Sequence, residues 1–401
     1  MLSLRKNSQY NPLLILALIL VCSLFLRFYS LYTPNSQIFD EVYFPVFANN
    51  YLTNTDFFDV HPPLGKLIIA GSISLLGNSP LGWRTLNAIA GVLLIAAIAG
   101  FTYDLTKRWR PTLLAALLVA IDPMALVESR VGLINIYLAL FSILTLWLFW
   151  RWWNKEKETA SLALACIALG AASAVKWIGI GTAGAIVVFI LWTIWQKQNK
   201  KLNWRSLLLL LLAPVTYLLT FIPDLIRGQD ILWWHQSAWH YHQTLAATHP
   251  YGSKWWTWPF TIRPVWLYFQ ALVDGRISGI VELGNIVTWI GGLIAIVSLI
   301  GKKLKPSYVF LLITYAVLFL PWAAISRVAF IYHYFVPALI LLILLALVLD
   351  ESVFNHPKWR WLGISFLTVS AAFFVYFLPL LTGWPISGAF YAHHLWFQSW
   401  I

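Results

Sequence analysis

Long apolar runs separated by short polar segments dominate the pattern of this chain. Because a helix of about 20 apolar residues crosses the hydrocarbon core of a bilayer, each run predicts one crossing. The pattern therefore predicts an all-α polytopic membrane protein, a bundle of about 11 transmembrane helices with two long loops at 31–83 and 223–284. The runs lie at approximately 12–30, 84–104, 111–128, 132–150, 160–176, 178–195, 205–222, 285–300, 307–325, 329–349 and 361–381.

Basic residues concentrate in alternate connections between the runs, as expected when Lys and Arg stay on the cytoplasmic side. With Arg5 and Lys6 placed inside, the inner segments hold 17 basic and five acidic residues, and the outer segments hold ten of each. We therefore expect a multi-pass plasma-membrane protein with a cytoplasmic N-terminus. The C-terminus and both long loops then lie outside the cytoplasm. Since this bias explains the net charge of +12, no nucleic-acid partner is expected.

Composition agrees with a bilayer setting, because 60% of the residues are hydrophobic and only 10% are charged. Such a chain has too little polar surface to cover a soluble domain, and none is predicted. Cys22 and Cys166 lie within apolar runs, so we expect neither a disulfide nor a cysteine metal site. The histidine spacings also lack the pattern of a zinc helix, and no metal is expected.

The first long loop carries an adjacent acid pair, Asp40 and Glu41, among apolar and aromatic neighbours. Burial and mutual repulsion raise carboxylate pKa values, so one of the two could serve as a general base. The alternative is a pair of solvated loop acids. Further along, Pro62 restricts His61 and predicts a rigid turn that displays His61 and Lys66. The alternative there is an interfacial helix whose Lys66 reaches the headgroups.

Three cations, Arg84, Arg130 and Lys176, are predicted at the outer ends of apolar runs. A cation at an apolar interface is costly unless it meets an anion, which makes such residues candidates for function. Together they suit the phosphate of a lipid-linked donor, with an apolar groove below for the prenyl chain. Taken singly, each could instead extend to the headgroups.

The second long loop is rich in aromatic residues between His249 and Trp266. Stacked aromatic rings with polar edges suit sugar faces and peptide backbones, although Trp and Tyr also anchor loops at membrane interfaces. The candidate residues for such a platform are His249, Tyr251, Trp255, Trp258 and Arg263.

These motifs together resemble the protein O-mannosyltransferases, a family of the GT-C superfamily. The resemblance begins with Phe39-Asp40-Glu41, the string from Asp59 to Lys66, and Arg84. It covers about residues 38 to 350, and departs at Ile134-Asn135, where the family usually has Leu-Asp, so Asn135 receives no role. The absence of a trefoil-like module resembles a compact bacterial member. Further similar strings are Ser129–Asn135, Ala174–Gly179, His249–Pro259, Glu282–Asn285 and Arg327–Phe335.

The resemblance implies a GT-C fold in two parts. Residues 1–222 would form an N-terminal membrane module whose first loop is catalytic, and 223–401 the second loop with a C-terminal four-span module. Asp40 would be the catalytic base, and Glu41 with His61 would bind the acceptor. The three cations would bind the donor phosphate, and the aromatic set would hold sugar or peptide.

The implied activity is inverting transfer of mannose from polyprenyl-phosphate mannose to Ser or Thr hydroxyls of secreted or membrane proteins, with neither cofactor nor metal. One alternative is a GT-C enzyme that modifies a lipid or a cell-wall glycan. Another is a lipid-linked sugar transporter, although transporters more often carry paired halves with spans broken near mid-membrane. Whether the protein works as a monomer or a dimer stays open.

Overall fold

The computed structural model describes residues 11–154, 159–197 and 204–401. Charged residues that support the proposed topology also occur at 1–10, 155–158 and 198–203, and these lie outside the described residues. They are Arg5, Lys6, Lys155, Lys157, Lys200 and Lys201.

The described chain is mostly helical. Its first part contains α1 Pro12–Phe28, α2 Phe44–Thr53, α3 Leu64–Leu76, α4 Pro80–Thr106, α5 Trp109–Ala120, α6 Pro123–Glu128, α7 Asn135–Asn154, α8 Thr159–Val175 and α9 Gly181–Trp195. The second part contains α10 Trp204–Leu209, α11 Leu212–Leu219, α12 Ile222–Ile226, α13 Ile231–Thr244, α14 Ile286–Ser298, α15 Pro306–Phe319, α16 Phe335–Val348, α17 Arg360–Thr382 and α18 Gly388–His393. Three strands, β1 Val265–Ala271, β2 Arg276–Glu282 and β3 Ile386–Ser387, complete the fold.

Six of the described helices are long and apolar enough to cross a membrane. Every other predicted run also contains helix, but the run at 111–128 is broken into α5 and α6, and the run at 205–222 into α10, α11 and α12. The integral membrane character is confirmed, whereas the count of 11 crossings and the division at residue 222 stay predictions. The bounds of the six are Pro80–Thr106, Asn135–Asn154, Trp177–Trp195, Pro306–Ala324, Ile331–Phe354 and Pro357–Thr382.

The helix α16 forms the centre of the bundle, because all of its residues are buried. It packs against α5, α14 and α15. At the periphery, α1 leaves Leu14, Leu18 and Phe25 more than half exposed, at 69%, 62% and 64%. Exposed leucine and phenylalanine along a helix face would be unfavourable in water, so this face belongs against lipid.

The expectation of an all-α protein is wrong in one respect, because the second long loop ends in an antiparallel hairpin. β1 pairs with β2 from Val265 opposite Glu282 to Ala271 opposite Ile277, and the short β3 extends the sheet next to β2. Asp274 and Gly275 form the turn, with Gly275 at φ +78°. An Asp-Gly pair between apolar segments is a hairpin signal that the aromatic content of this loop obscured.

The two long loops are folded segments that pack on each other. The first contains α2 and α3, and the second contains α13. The Tyr51 hydroxyl donates to Asp224 over 3.0 Å, and the Trp234 indole N–H donates to the carbonyl of Asp59 over 2.8 Å. These contacts hold both loops together above one end of the bundle.

A buried polar network joins the end of the sheet to the bundle. Asp122 accepts from Ala125 N at 3.0 Å and from the Trp289 indole at 2.9 Å. The Asn285 amide, which caps α14, donates to the carbonyls of Ile121 and Ser370. Since Asp122, Asn285 and Trp289 are all buried, these bonds fix the start of α6 against α14 and α17, just after the end of β2.

We predict that Gly284→Ala destabilises this junction. A Cβ atom at Gly284 would lie 2.3 Å from the ring of Trp289, which is fully buried and hydrogen-bonded and has nowhere to move. Overpacking of this kind costs about 1–3 kcal/mol. The thermal unfolding temperature of the detergent-solubilised protein should fall. The matched control is Gly71→Ala, where a Cβ meets nothing within 4 Å and no fall is expected.

Candidate active site

A buried ion pair between Glu41 and Arg84 organises the first loop. Arg84 Nε and one terminal nitrogen each donate to Glu41 over 2.7 Å. The remaining guanidinium donors reach the carbonyls of Leu31, Pro34 and Ser36, so all five N–H groups are used. Glu41 also accepts from the backbone N–H of Gly132 at 2.7 Å and of Ile38 at 3.1 Å.

This geometry corrects the roles expected for Glu41 and Arg84. Glu41 is 0% exposed and Arg84 is 1% exposed, and each uses its polar atoms inside the protein. Neither side chain lines the cavity described below. An acceptor or a phosphate cannot reach them without breaking the pair, so they hold the loop instead of binding substrate.

Arg130 is likewise used inside the protein. One of its terminal nitrogens donates to the carbonyls of Leu26, Arg27 and Tyr29 at 2.7, 2.9 and 2.9 Å. These carbonyls end α1, where helix carbonyls lack partners within the helix. Arg130 is 5% exposed and does not line the cavity, so its expected contact with phosphate is also corrected.

Asp40, the neighbour of Glu41, lines a cavity of about 800 Å³ between the two loops and the bundle. The cavity also receives His61 from the first loop, Lys176 from the turn before α9, and His242 from α13. The segment before α16 supplies Arg327. Further lining residues are Trp177, Trp239, Tyr241, Trp322, Phe330, Tyr332 and His333.

The surroundings of Asp40 suit a proton acceptor. Burial raises the pKa of Asp40 above its ordinary range, and the positive charge of Lys176 partly offsets that rise. The negative charge of Asp59 acts in the same direction as burial. A half-buried carboxylate with a raised pKa is a stronger base than an exposed aspartate.

Lys176 and Arg327 give the cavity its positive charge. No carboxylate of the described residues lies within ion-pair distance of Lys176, whose ammonium group lies 5.6 Å from the ring centre of Tyr332. Arg327 contacts the His242 ring at 3.1 Å. Both cations are therefore available to an anion that enters the cavity.

His61 lies in a turn that Lys66 fixes from below. The Lys66 ammonium donates to Asp59 over 2.5 Å and to the carbonyls of His61 and Pro62 over 2.6 and 3.2 Å. Lys66 is 2% exposed, so it is a buried part of the turn and does not extend to the headgroups. Burial, followed by the charge of Lys176, lowers the pKa of His61 well below its ordinary value. His61 therefore faces the cavity as a neutral ring.

The predicted aromatic platform is largely not assembled at the cavity. Of its members, His249 lines an adjoining recess of about 420 Å³ that shares Arg327 with the main cavity. Trp258 is 1% exposed and donates to Ser253, and Trp255 packs edge-on against Phe319. Arg263 and Tyr251 contact each other, and Arg263 donates to the carbonyl of Ile401. Arg263 thus joins the second loop to the C-terminal segment, whereas Trp255 packs the loop against α15 and Trp258 bonds within the loop.

An apolar groove of about 830 Å³ runs down from the cavity between helices. Trp177 and Trp239 line both spaces and so mark where the two meet. The other lining residues are mostly apolar, from α8, α9, α11 and α13: Leu169, Gly170, Ser173, Ile180, Ala183, Ala213, Pro214, Tyr217, His235 and Gln236. An apolar groove next to a cationic cavity is the arrangement expected from the sequence for a lipid phosphate.

Metal ligands were expected to be absent. Within residues 11–154, 159–197 and 204–401, no three His, Cys, Asp or Glu side chains cluster so that they could hold a metal ion. Metal-independent chemistry nevertheless stays a prediction.

Both cysteines are free, as predicted.

Comparison with known families gives matches along nearly the whole chain. A family model described as dolichyl-phosphate-mannose-protein mannosyltransferase matches residues 17–83 and 78–229. The C-terminal four-span region of protein O-mannosyltransferase matches residues 228–305 and 300–400. The chain belongs to the protein O-mannosyltransferase family. The resemblance stated from the sequence motifs is thus confirmed.

Relatives of this mannosyltransferase family member include bacterial and yeast proteins. A polyprenol-phosphate-mannose–protein mannosyltransferase of Mycolicibacterium smegmatis is 25% identical over 96% of this chain and 92% of the relative. The Pmt1–Pmt2 protein O-mannosyltransferase complex of Saccharomyces cerevisiae, solved with its sugar donor, superposes with a TM-score of 0.86. That match is 17% identical and covers 100% of this chain and 94% of the yeast chain.

A more distant structure has the same general fold. ArnT of Cupriavidus metallidurans, solved with undecaprenyl phosphate, superposes with a TM-score of 0.62 at 16% identity. The match covers 90% of this chain and 63% of that one. At these identities the two structures establish the fold alone, and they confirm that this mannosyltransferase has the GT-C type of bundle.

Two cavity residues of this mannosyltransferase were missed as site candidates. Arg327 opens a string that is similar to the family but receives no role from the sequence, and His242 receives none either. The signal for Arg327 was present, because it is a cation between two apolar runs. His242 had no comparable signal, since its place depends on how α13 packs over the first loop.

We predict that Arg84→Lys disrupts the first loop. A lysine provides three donors in place of five and cannot form the paired bonds to Glu41. Each buried acceptor that loses its donor in this way stays unpaired, which costs about 1–3 kcal/mol. Limited proteolysis should then cut the segment between Leu31 and Tyr43 faster than in the wild type. The exposed pair Arg276–Asp274 gives the control, because Arg276→Lys should change neither cutting nor unfolding. Equal resistance of both variants would contradict the role of Arg84.

Proposed function

We propose that this protein transfers mannose from a polyprenyl-phosphate donor to Ser or Thr hydroxyls of proteins, with inversion at the anomeric carbon. The observation that carries the proposal is the meeting of three elements in one cavity. Asp40 supplies a base, Lys176 and Arg327 supply positive charge, and the apolar groove opens beside them. Membership of the protein O-mannosyltransferase family supports the choice of sugar and acceptor.

The reaction follows from these positions. The prenyl chain lies in the groove, and the donor phosphate meets Lys176 and Arg327 near Trp177. Asp40 takes the proton of the acceptor hydroxyl. The hydroxyl oxygen attacks the anomeric carbon from the face opposite the phosphate. The bond between the anomeric carbon and the phosphate oxygen breaks, and the lipid phosphate leaves with the electron pair of that bond. The two cations compensate the charge that grows on it, which is the kind of stabilisation that usually dominates such steps. This scheme requires no metal and no cofactor.

The acceptor is proposed to enter through the recess lined by His249. This recess joins the main cavity at Arg327 and is bordered by Ala246, Ala247 and Lys254. A secreted or membrane protein segment could lie there with a hydroxyl side chain directed towards Asp40. His61, which is neutral and faces the same cavity, would then be an acceptor contact.

The cavity is proposed to face the outside of the plasma membrane. Arg108 and Lys305, which the charge pattern places in the cytoplasm, pair with Asp350 and Glu351 at one end of the bundle. Asp40 and Lys176 belong to segments that the same pattern assigns to the outer side. The N-terminus would be cytoplasmic and the C-terminus external. Whether the protein works as a monomer or a dimer stays open here as well.

We predict that Asp40→Asn lowers the transfer rate on the order of 10²-fold or more, as removal of a general base should. The measurement is mannose transfer from polyprenyl-phosphate mannose to a Ser/Thr-rich peptide by the purified protein. Asp56→Asn is the matched control, because Asp56 lies in the same loop with its side chain 96% exposed. Unchanged transfer by Asp40→Asn would remove Asp40 as the base.

The same assay should depend on pH in a defined direction. Asp40 acts as a base only when it is ionised, and burial raises its pKa above the ordinary range of aspartate. Transfer activity should therefore fall as the pH is lowered. The midpoint of this fall should lie at a higher pH than the pKa of an ordinary aspartate.

We predict that Ala183→Phe discriminates between donors by chain length. Ala183 lines the groove, and a phenyl ring there would occupy part of its volume. The kcat/KM for a long polyprenyl donor should fall more than that for a donor with a short chain, because a short chain does not reach the added ring. Leu191→Phe is the control, since Leu191 is 59% exposed on the lipid-facing side of α9. Equal losses for both donors would contradict the groove as the prenyl site.

A further inference from the structure

Two buried glutamates lie beneath the cavity and have no part in the reaction scheme above. Glu128 ends α6, and Glu282 ends β2. Both side chains are 0% exposed. Their carboxyl groups lie within hydrogen-bond reach of each other, at the junction that Asp122, Asn285 and Trp289 hold in place.

The hydrogen bonds of the pair are incomplete if both groups are ionised. Glu128 Oε1 accepts from the Asn135 amide over 2.7 Å. The other oxygen of Glu128 and both oxygens of Glu282 have no donor among the described residues. A buried carboxylate without donors is costly, and two such charges in contact are costlier still. One proton between them lowers both costs, because it removes one charge and lets Glu282 donate to Glu128.

The distribution of donors assigns the proton to Glu282. Asn135 stabilises the ionised form of Glu128, whereas none of the described residues donates to Glu282. Burial, and then the adjacent Glu128, also raises the pKa of Glu282 well above the usual range of glutamate. The pair therefore carries one negative charge.

That charge lies behind Lys176. Asn135, which binds Glu128, also lines a small cavity of about 30 Å³ together with Lys176 and Tyr332. Lys176 has no carboxylate of the described chain at ion-pair distance, and a lysine in such apolar surroundings needs negative charge nearby to stay protonated. The other charged and titratable groups around Lys176 are Asp40, Asp59, His61, His242, Arg327, Tyr332 and His333.

We infer that Glu128 and Glu282 form a positioning pair that shares one proton, and that its single negative charge keeps Lys176 protonated for the donor phosphate. The inference rests on the proposed role of Lys176 in donor binding. The pair touches neither the sugar nor the acceptor and acts only through Lys176.

The shared proton predicts a strongly non-additive response to amide substitution. In Glu282→Gln the amide replaces the protonated acid, and in Glu128→Gln the remaining charge moves to Glu282, so each single variant keeps one negative charge. The double variant keeps none and should lower the pKa of Lys176, as loss of a nearby opposite charge does. Two independent charges would instead give each single variant half of the effect.

The pKa of Lys176 can be measured by chemical labelling, independently of mannose transfer. A small water-soluble acylating reagent reaches Lys176 through the main cavity and reacts only with the neutral amine. The rate of acylation, followed by mass spectrometry as a function of pH, should match the wild type in both single variants and shift to lower pH in the double variant. Lys254, which is exposed, is the internal control in the same digests and should not shift.

A second measurement tests the proton itself. The infrared spectrum at neutral pH should contain the band of a buried protonated carboxylic acid, and Glu282→Gln should remove it. Loss of that band together with the non-additive shift supports the inference. An unshifted double variant, equal shifts in the single variants, or an intact band in Glu282→Gln would overturn it. If the protein passes these tests but transfers no mannose, the proposed function fails and the shared proton stands.

Discussion

The buried pair between Glu41 and Arg84 is the constraint on which the rest of the site depends. A guanidinium inside a bundle must have all of its donors satisfied, and here five acceptors surround it. All five acceptor atoms belong to residues from Leu31 to Glu41 in sequence, and Glu41 also accepts from the backbone N–H of Gly132. The first loop is thereby fixed against α4 and against the turn between α6 and α7. This arrangement also fixes the position of Asp40, because only one peptide bond separates Asp40 from Glu41.

Asp40 and Glu41 therefore have different roles, which the sequence of the acid pair alone does not predict. Glu41 is fully neutralised and lies inside, whereas Asp40 has no such partner and faces the cavity. Full neutralisation of one acid leaves the electrostatics of the cavity to Asp40, Lys176 and Arg327.

Much of the fold followed from the sequence, because apolar runs and their flanking charges report directly on membrane crossings. Such patterns predict the helical bundle, the two long loops and the position of Lys176 at an outer end. Asp40 and His61 were predicted instead from the acid pair, the proline turn and the family resemblance. Arg84 and Arg130 were not distinguishable from Lys176 in this way. All three are cations at the ends of apolar runs, and which of them reaches the cavity depends on carbonyl groups that other segments bring near.

Contacts from other segments also decide which aromatic side chains of the second loop reach the cavity. Trp258 and His249 belong to one string, yet Trp258 is buried against Trp322 and His333, and His249 reaches the recess. Aromatic content predicts burial or an interface, but it does not predict which ring a strand or turn will direct outward. The hairpin that follows was missed for a related reason, because its Asp274-Gly275 turn lies within a stretch whose tryptophans suggested a membrane surface.

The meeting of groove and cavity at Trp177 also bears on how a donor would be oriented. Trp177 follows Lys176 directly and lines both spaces, so the boundary between apolar and charged surroundings lies within two consecutive residues. A molecule with an apolar tail and a charged head can satisfy both sides in only one direction, because the reverse placement would bury a phosphate among apolar side chains. In the proposed function, the turn between α8 and α9 would therefore set which end of a lipid-linked sugar faces Asp40.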